Sequence, residues 1–190
     1  LGVALAARAD ALDAAEHATA LRRTVRLLDA LEYNGAHLLW CPAGGNWADE
    51  YVTEGYVLHD QVLRAWALRR LAATYGEPAW ADKAARIGDA LEARFRGGPA
   101  DAPRPVASVS PLGPRDAYDA ASCALLPLAG VAPALARDAL TAPWWHAQAV
   151  LVTENDPSLE LFNGDVGVVL REPDGRLRAW FRARAALSSR

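Results

Sequence analysis

Apolar positions in the first half of the chain recur with a helical period. Leu12, Ala15, Thr19, Val25, Leu28 and Leu31 share a face and predict a helix from about Asp10 to Tyr33, with Asn34-Gly35 as a left-handed stop. A second helix is predicted from about Gly55 to Tyr75. Val57, Leu58, Val62, Leu63, Trp66, Leu68 and Leu71 make it apolar around most of its circumference, as expected of a helix packed on two sides. Gly76 ends it, and Pro78 occupies a first-turn position. The third helix carries a single stripe of Trp80, Ala84, Ile87, Leu91 and Phe95 and stops at Gly97-Gly98-Pro99. So short a connection requires the second and third helices to lie antiparallel.

The pattern then changes. Residues 97–114 are rich in Pro and Gly without periodicity and read as a loop. Asp116 to Ala129 predicts a fourth helix disturbed near its end by Pro127, and Pro133 to Leu140 a short fifth. After Pro143 come β signals: a run from Gln148 to Thr153, Asn163-Gly164 as a tight turn, Val166 to Leu170, the turn Pro173-Asp174-Gly175, and Arg176 to Phe181. The expected fold is mainly α. Antiparallel helical hairpins fill residues 1–140, and a small antiparallel β meander fills residues 141–190.

Composition narrows the class. The chain has 190 residues, 52% hydrophobic and 23% charged, which is globular and argues against wholesale disorder. A net charge of −3 argues against a nucleic-acid footprint over the whole chain. Of the 20 basic residues only Lys83 is a lysine, a bias that reflects coding more than function. Cys41 and Cys123 lie far apart and form no CxxC pair, so they read as two small buried hydrophobes. His17, His37, His59 and His146 have no metal-ligand spacing, and no phosphate-binding Gly-rich loop occurs. Neither metal nor cofactor is expected. The uncharged stretch from Ala120 to Ala136 is broken by Pro127, Gly130 and Pro133 and is short for a membrane span. No membrane association is expected, and the expected compartment is the cytoplasm. With Leu at position 1 and no Met anywhere, the chain reads as a processed product, an excised piece or an edited sequence.

The densest chemistry lies between the first two helices. Trp40, Trp47, Asp49, Glu50, Tyr51, Glu54 and Tyr56 crowd into one long connection, a kind that is often functional. Sugars stack their apolar faces on aromatic rings. Glycosidic cleavage needs a carboxylic acid to protonate the leaving oxygen. The same aromatics equally suit a loop that merely anchors itself in a core.

Read as a string, Asn46-Trp47-Ala48-Asp49-Glu50-Tyr51, then Gly55-Tyr56-Val57-Leu58-His59-Asp60-Gln61-Val62-Leu63 and Ala67-Leu68-Arg69, resembles the six-hairpin glycosidases. These α/α-toroid enzymes include the amylo-α-1,6-glucosidases, the trehalases and the neutral or alkaline invertases. Ala107 to Gly113, followed by Asp116 and Asp119, looks like a later piece of the same proteins, so the likeness spans about residues 10–135. It implies a glycoside hydrolase acting on glucosides or oligosaccharides, with Asp49 as general acid and Trp47 and Tyr56 lining a sugar subsite; Trp40 and Tyr51 of the same aromatic-rich connection are further substrate-binding candidates. Asp116 and Asp119 are available as the partner base. A full toroid needs at least about 200 residues of helices and loops. The chain therefore corresponds to an incomplete toroid whose exposed apolar helix face would favour self-association.

Ala149 to Asp156 and Leu161-Phe162-Asn163-Gly164-Asp165-Val166-Gly167-Val168-Val169-Leu170, preceded by Trp144-Trp145, resemble the C-terminal region of RecD-type DNA helicases, the alpha chain of exodeoxyribonuclease V. This likeness spans about residues 143–182. Without a phosphate loop no ATPase activity is expected. Six arginines from residue 171 onward stand against Glu172 and Asp174, and Arg171, Arg176 and Arg178 are the candidates for contact with single-stranded DNA. The two resemblances belong to unrelated chemistries and meet near residues 135–143, so the chain reads as composite, with a non-catalytic scaffold as a further alternative.

Overall fold

The computed structural model describes residues 2, 6, 13–33, 35–45, 54–98, 100, 103–115, 119–141, 149–152, 154–174 and 176–181. The chain forms two compact units, Leu1–Thr141 and Ala142–Arg190. The fold is mainly α, with small antiparallel sheets.

In the first unit, α1 (Ala14–Ala30) begins where the extended Asp13 accepts a hydrogen bond from Ala15 N–H at 2.8 Å. It ends before the expected Asn34-Gly35 stop because the chain turns earlier. Leu31 N–H folds back to Leu28 O, Glu32 bridges to Leu39, and Trp40 N–H donates to Leu31 O at 3.2 Å. The second helix also differs from expectation. Tyr56–Val57 form a short strand, β1, and α2 (Leu58–Tyr75) starts only after it. Nothing in the local pattern announces that strand, because its partner is supplied from fifty residues onward.

α2 ends at Gly76, which takes the left-handed φ of 66°. α3 (Pro78–Arg94) follows with Pro78 in its first turn, as the sequence predicts. The two helices form the antiparallel hairpin at the centre of the unit. Residues 97–114, expected as a loop, contribute short strands instead. β2 (Arg96–Gly97) pairs with β3 (Arg104–Pro105), and β4 (Ser108–Ser110) pairs with both β1 and β5 (Gly113–Arg115). Gly97, Pro105 and Gly113 fall at strand ends and Pro114 lies within β5 opposite Val109, which hides the β character from a pattern reading. Leu58 N–H donates to Ala107 O at 2.9 Å, so the sheet satisfies a first-turn amide of α2 that lacks a side-chain cap.

α4 (Ala120–Ala129) starts at Asp119, which accepts from Ser122 N–H at 3.0 Å. It tolerates Pro127 close to its end and stops at Gly130, where φ is 62°. α5 (Pro133–Thr141) is capped from another helix: Glu92 of α3 accepts from Ala134 N–H at 2.7 Å and from Leu135 N–H. Leu58, Val62 and Ala65 of α2, Ile87 and Leu91 of α3, Phe95, Val106, Leu126 and Leu135 are wholly buried and join in one core.

The second unit is the expected antiparallel meander of β6 (Ala149–Leu151), β7 (Val166–Arg171) and β8 (Leu177–Phe181), in that spatial order. Asn163-Gly164 lies in the turn before β7, with Gly164 at φ 94°. Glu172 N–H donates to Arg176 O at 2.8 Å across the second turn. Among the described residues no helix is long and apolar enough to cross a membrane.

Candidate functional site

Trp47, Asp49 and Tyr51, the centre of the expected sugar site, fall in 46–53 and lie outside the described residues. The two ends of that connection are described. Cys41 and Gly55 face each other as an antiparallel pair, exchanging Cys41 N–H to Gly55 O at 2.8 Å and Gly55 N–H to Cys41 O at 2.9 Å. Segment 42–54 therefore leaves and returns through one closed base. Gly55 is required there, since its φ is 93° and a Cβ would sit 2.5 Å from Val109 O on β4.

Trp40 and Tyr56 stand immediately outside this base, edge to face, with ring centres 5.5 Å apart and planes at 86°. Trp40 is half-buried and packs on the core, whereas Tyr56 is 6% exposed and donates its hydroxyl to Tyr33 O at 3.1 Å. Of this pair only Trp40 keeps an accessible surface for a sugar ring. Tyr56, expected as a second platform, is a buttress for Trp40.

The segment leading into the base is held by two buried side chains of α2. The Gln61 carboxamide, wholly buried, accepts from Leu39 N–H and donates to Leu39 O, both at 2.8 Å. One turn on, Arg64 donates to His37 O at 3.4 Å and meets the carboxylates of Asp29 and Glu32. Lys83 of α3 reaches Glu32 at 2.6 Å. Burial opposes ionisation of Glu32, but hydrogen bonds from Lys83 and Arg64, with their charges, outweigh it and hold the carboxyl below its ordinary value. His37 has a φ of 59°, a left-handed conformation rare for residues other than glycine, within the segment that Arg64 and Gln61 grip.

Beside the base stand Cys41, His59 and Asp60, with His59 Nδ1 3.7 Å from Asp60 Oδ1. Burial first, then the charge and hydrogen bonding of Asp60, push the Cys41 thiol up, which keeps it protonated and unsuited to nucleophilic attack. Asp60 is a carboxylate at the base that the sequence reading did not single out. Its signal was its place in the first turn of α2, directly after the aromatic-rich connection. Asp119, one of the two expected partner bases, caps α4 and accepts from both the N–H and the hydroxyl of Ser122. Asp116 lies outside the described residues. Among the described residues no group of three or more His, Cys, Asp or Glu side chains could hold a metal ion.

In the β unit the three candidate arginines do not share a face. Arg178 lies opposite Leu170 and Arg171 opposite Leu177, so the alternation of the strands sends their side chains to opposite sides of the sheet. Arg176 N–H donates to Asp174 in the turn. The face carrying Arg178 also carries Trp180, 53% exposed, beside Val168 and Leu170. Trp180, which sequence reasoning missed, donates its indole N–H to Glu172 at 3.2 Å.

Comparison with protein-family models, with curated proteins and with solved structures finds no match.

Proposed function

We propose that the first unit is a carbohydrate-active module of the six-hairpin glycosidase kind, an incomplete α/α toroid that acts on glucosides or oligosaccharides in the cytoplasm through carboxylate acid chemistry. The observation that carries this reading is the closed base at Cys41 and Gly55. The connection bearing Trp47 and Asp49 springs from a rigid footing that presents Trp40 beside it. A scaffold-anchored connection rich in aromatics and carboxylates suits a site that stacks a sugar and delivers a proton to its leaving oxygen. Asp49 is the proposed acid, with Trp40, Trp47 and Tyr51 lining the sugar. Completion of the toroid by a second copy or a partner fits the exposed Leu27, Leu31, Leu128 and Leu140.

The test is hydrolysis of maltooligosaccharides and aryl glucosides by wild type and Asp49→Asn. Turnover in wild type and its loss in a folded Asp49→Asn variant is the expected outcome. Absence of any turnover in wild type would remove the enzymatic reading.

A second reading concerns the β unit alone. Trp180 and Arg178 on one open sheet face offer a stacking surface with an adjacent positive charge, the combination that single-stranded nucleic acid favours. Salt-dependent binding of single-stranded DNA, weakened by Trp180→Ala, would support it. No binding at low salt would end it.

A further inference from the structure

We infer that Gln61 is the positioning residue of the candidate site: by gripping both backbone groups of Leu39, it sets the place of Trp40 and of the base at Cys41. This rests on the proposed sugar-binding reading for its functional consequence, but its structural part stands separately. Leu39 is joined to Glu32 by an isolated bridge, so no continuous ladder fixes this stretch. The Gln61 carboxamide, wholly buried, takes the place of a neighbouring strand, meeting the N–H and the C=O of the same residue at 2.8 Å each. A helix side chain that serves as a strand partner ties α2 directly to the backbone before Trp40. Leu38, wholly buried, and Arg64, donating to His37 O, hold the residues just before it. Past Leu39 the next constraints are Trp40 N–H on Leu31 O and the pair of bonds between Cys41 and Gly55. If Gln61 lets go, Leu39 loses its tie to α2, which then holds this stretch through Arg64 on His37 O and Asp60 against the Cys41 thiol, while the α2–α3 core keeps its packing.

Gln61→Glu tests this, because the variant's grip depends on protonation. As a carboxylate, residue 61 accepts from Leu39 N–H but opposes Leu39 O. As a carboxylic acid it makes both hydrogen bonds again. Burial keeps such a carboxyl protonated to higher pH than usual. The charged and titratable groups around this stretch are Arg64, His59 and Asp60 of α2, Asp29 and Glu32 from the end of α1, Lys83 of α3, and His37 and Cys41 on the segment itself. All are shared by wild type and variant, so the ratio of the two proteins isolates residue 61.

The expected result is maltotriose affinity, read by tryptophan fluorescence on folded protein, weakened roughly tenfold or more at pH 7.5 and restored to near the wild-type value at pH 5. Thermal melts at both pH values establish that each sample is folded. A variant-to-wild-type ratio of one at both pH values for Gln61→Glu, together with wild-type affinity in Gln61→Leu, which can make neither hydrogen bond at any pH, would overturn the inference. If wild type binds no maltotriose, the sugar reading fails, and amide exchange at Trp40 decides the positioning claim. Protection of Trp40 N–H lowered relative to wild type in Gln61→Glu at pH 7.5 and regained at pH 5 upholds it, Leu39 N–H keeping an acceptor in both forms. Unchanged protection refutes it.

Discussion

Arg64 and Glu32 form an ion pair that is nearly closed to water: their side chains are 4% and 9% exposed, and Nη2 lies 2.5 Å from Oε1. Arg64 also takes Asp29 at 2.6 Å, and Lys83 takes the other oxygen of Glu32. The network matters because α1 has little else to hold it. Its only buried side chain is Val25, 7% exposed, and its other polar ties among the described residues include Arg22 to Glu77 and Ala14 O to Tyr75 Oη. Removing one member of a buried pair leaves the other unmatched, at a cost that outweighs the pair's own net value. Arg64→Met should therefore destabilise the first unit by about 3 kcal/mol in urea titrations. Arg22→Ala, at an exposed pair, should cost less than about 1 kcal/mol.

The same network gives the unit an acid limb. Glu32 titrates below its ordinary value of 4.5 in the folded protein, so the unfolded chain binds its proton first as pH falls. Its contribution to stability is complete above pH 4.5 and is lost as pH falls through the lower folded value. The urea midpoint of wild type should drop below pH 4.5 more steeply than that of Glu32→Gln. Parallel curves would mean that other carboxylates govern the acid limb.

Both cysteines are free and buried, and both thiols titrate high. Burial, followed by the Asp119 charge, pushes Cys123 up to about 12. The thiolate is the reactive form, so alkylation by iodoacetamide at pH 8 should be slow for both residues in the native protein. It should accelerate by orders of magnitude once urea unfolds the chain. A thiol labelled rapidly in the native state would show that the surroundings of that cysteine open readily.

Helical periodicity made the α2–α3 hairpin legible, because its stop and start, Gly76 and Pro78, are local signals that agree with the stripe of Ala84, Ile87 and Leu91. The β unit was legible for the same reason, with β-branched runs separated by turn residues. Tyr56–Val57 read as the beginning of a helix because a two-residue strand has no period, and its partner at Ser108–Val109 is distant in sequence. The roles of Gln61 and Asp119 were equally hidden. A glutamine on an apolar helix face does not announce that it will serve as a strand partner, and an aspartate before a helix reads alike as a base or as a cap. Trp40 was singled out from composition alone. That it keeps an accessible surface while Tyr56 does not depends on which ring the core takes, and the core takes Tyr56, whose hydroxyl donates to Tyr33 O.

Gly55 offers the sharpest separation of footing from chemistry. Its φ of 93° is strained for any residue with a side chain, and an added Cβ would meet Val109 O at 2.5 Å. The clash can be relieved by moving Gly55 away from β4, which opens the pair with Cys41, or by pushing β4 outward, which disturbs Tyr56↔Val109. Either way the base of segment 42–54 is lost before the α2–α3 hairpin is touched. Gly55→Ala should cost about 2 kcal/mol or more of stability, measured by urea unfolding. It should also abolish amide protection at Cys41 while leaving that of Ile87 and Leu91 in place near neutral pH. Core protection lost together with that of Cys41 would show that the base and the hairpin open as one cooperative unit, and that the footing of the candidate site is inseparable from the core beneath it.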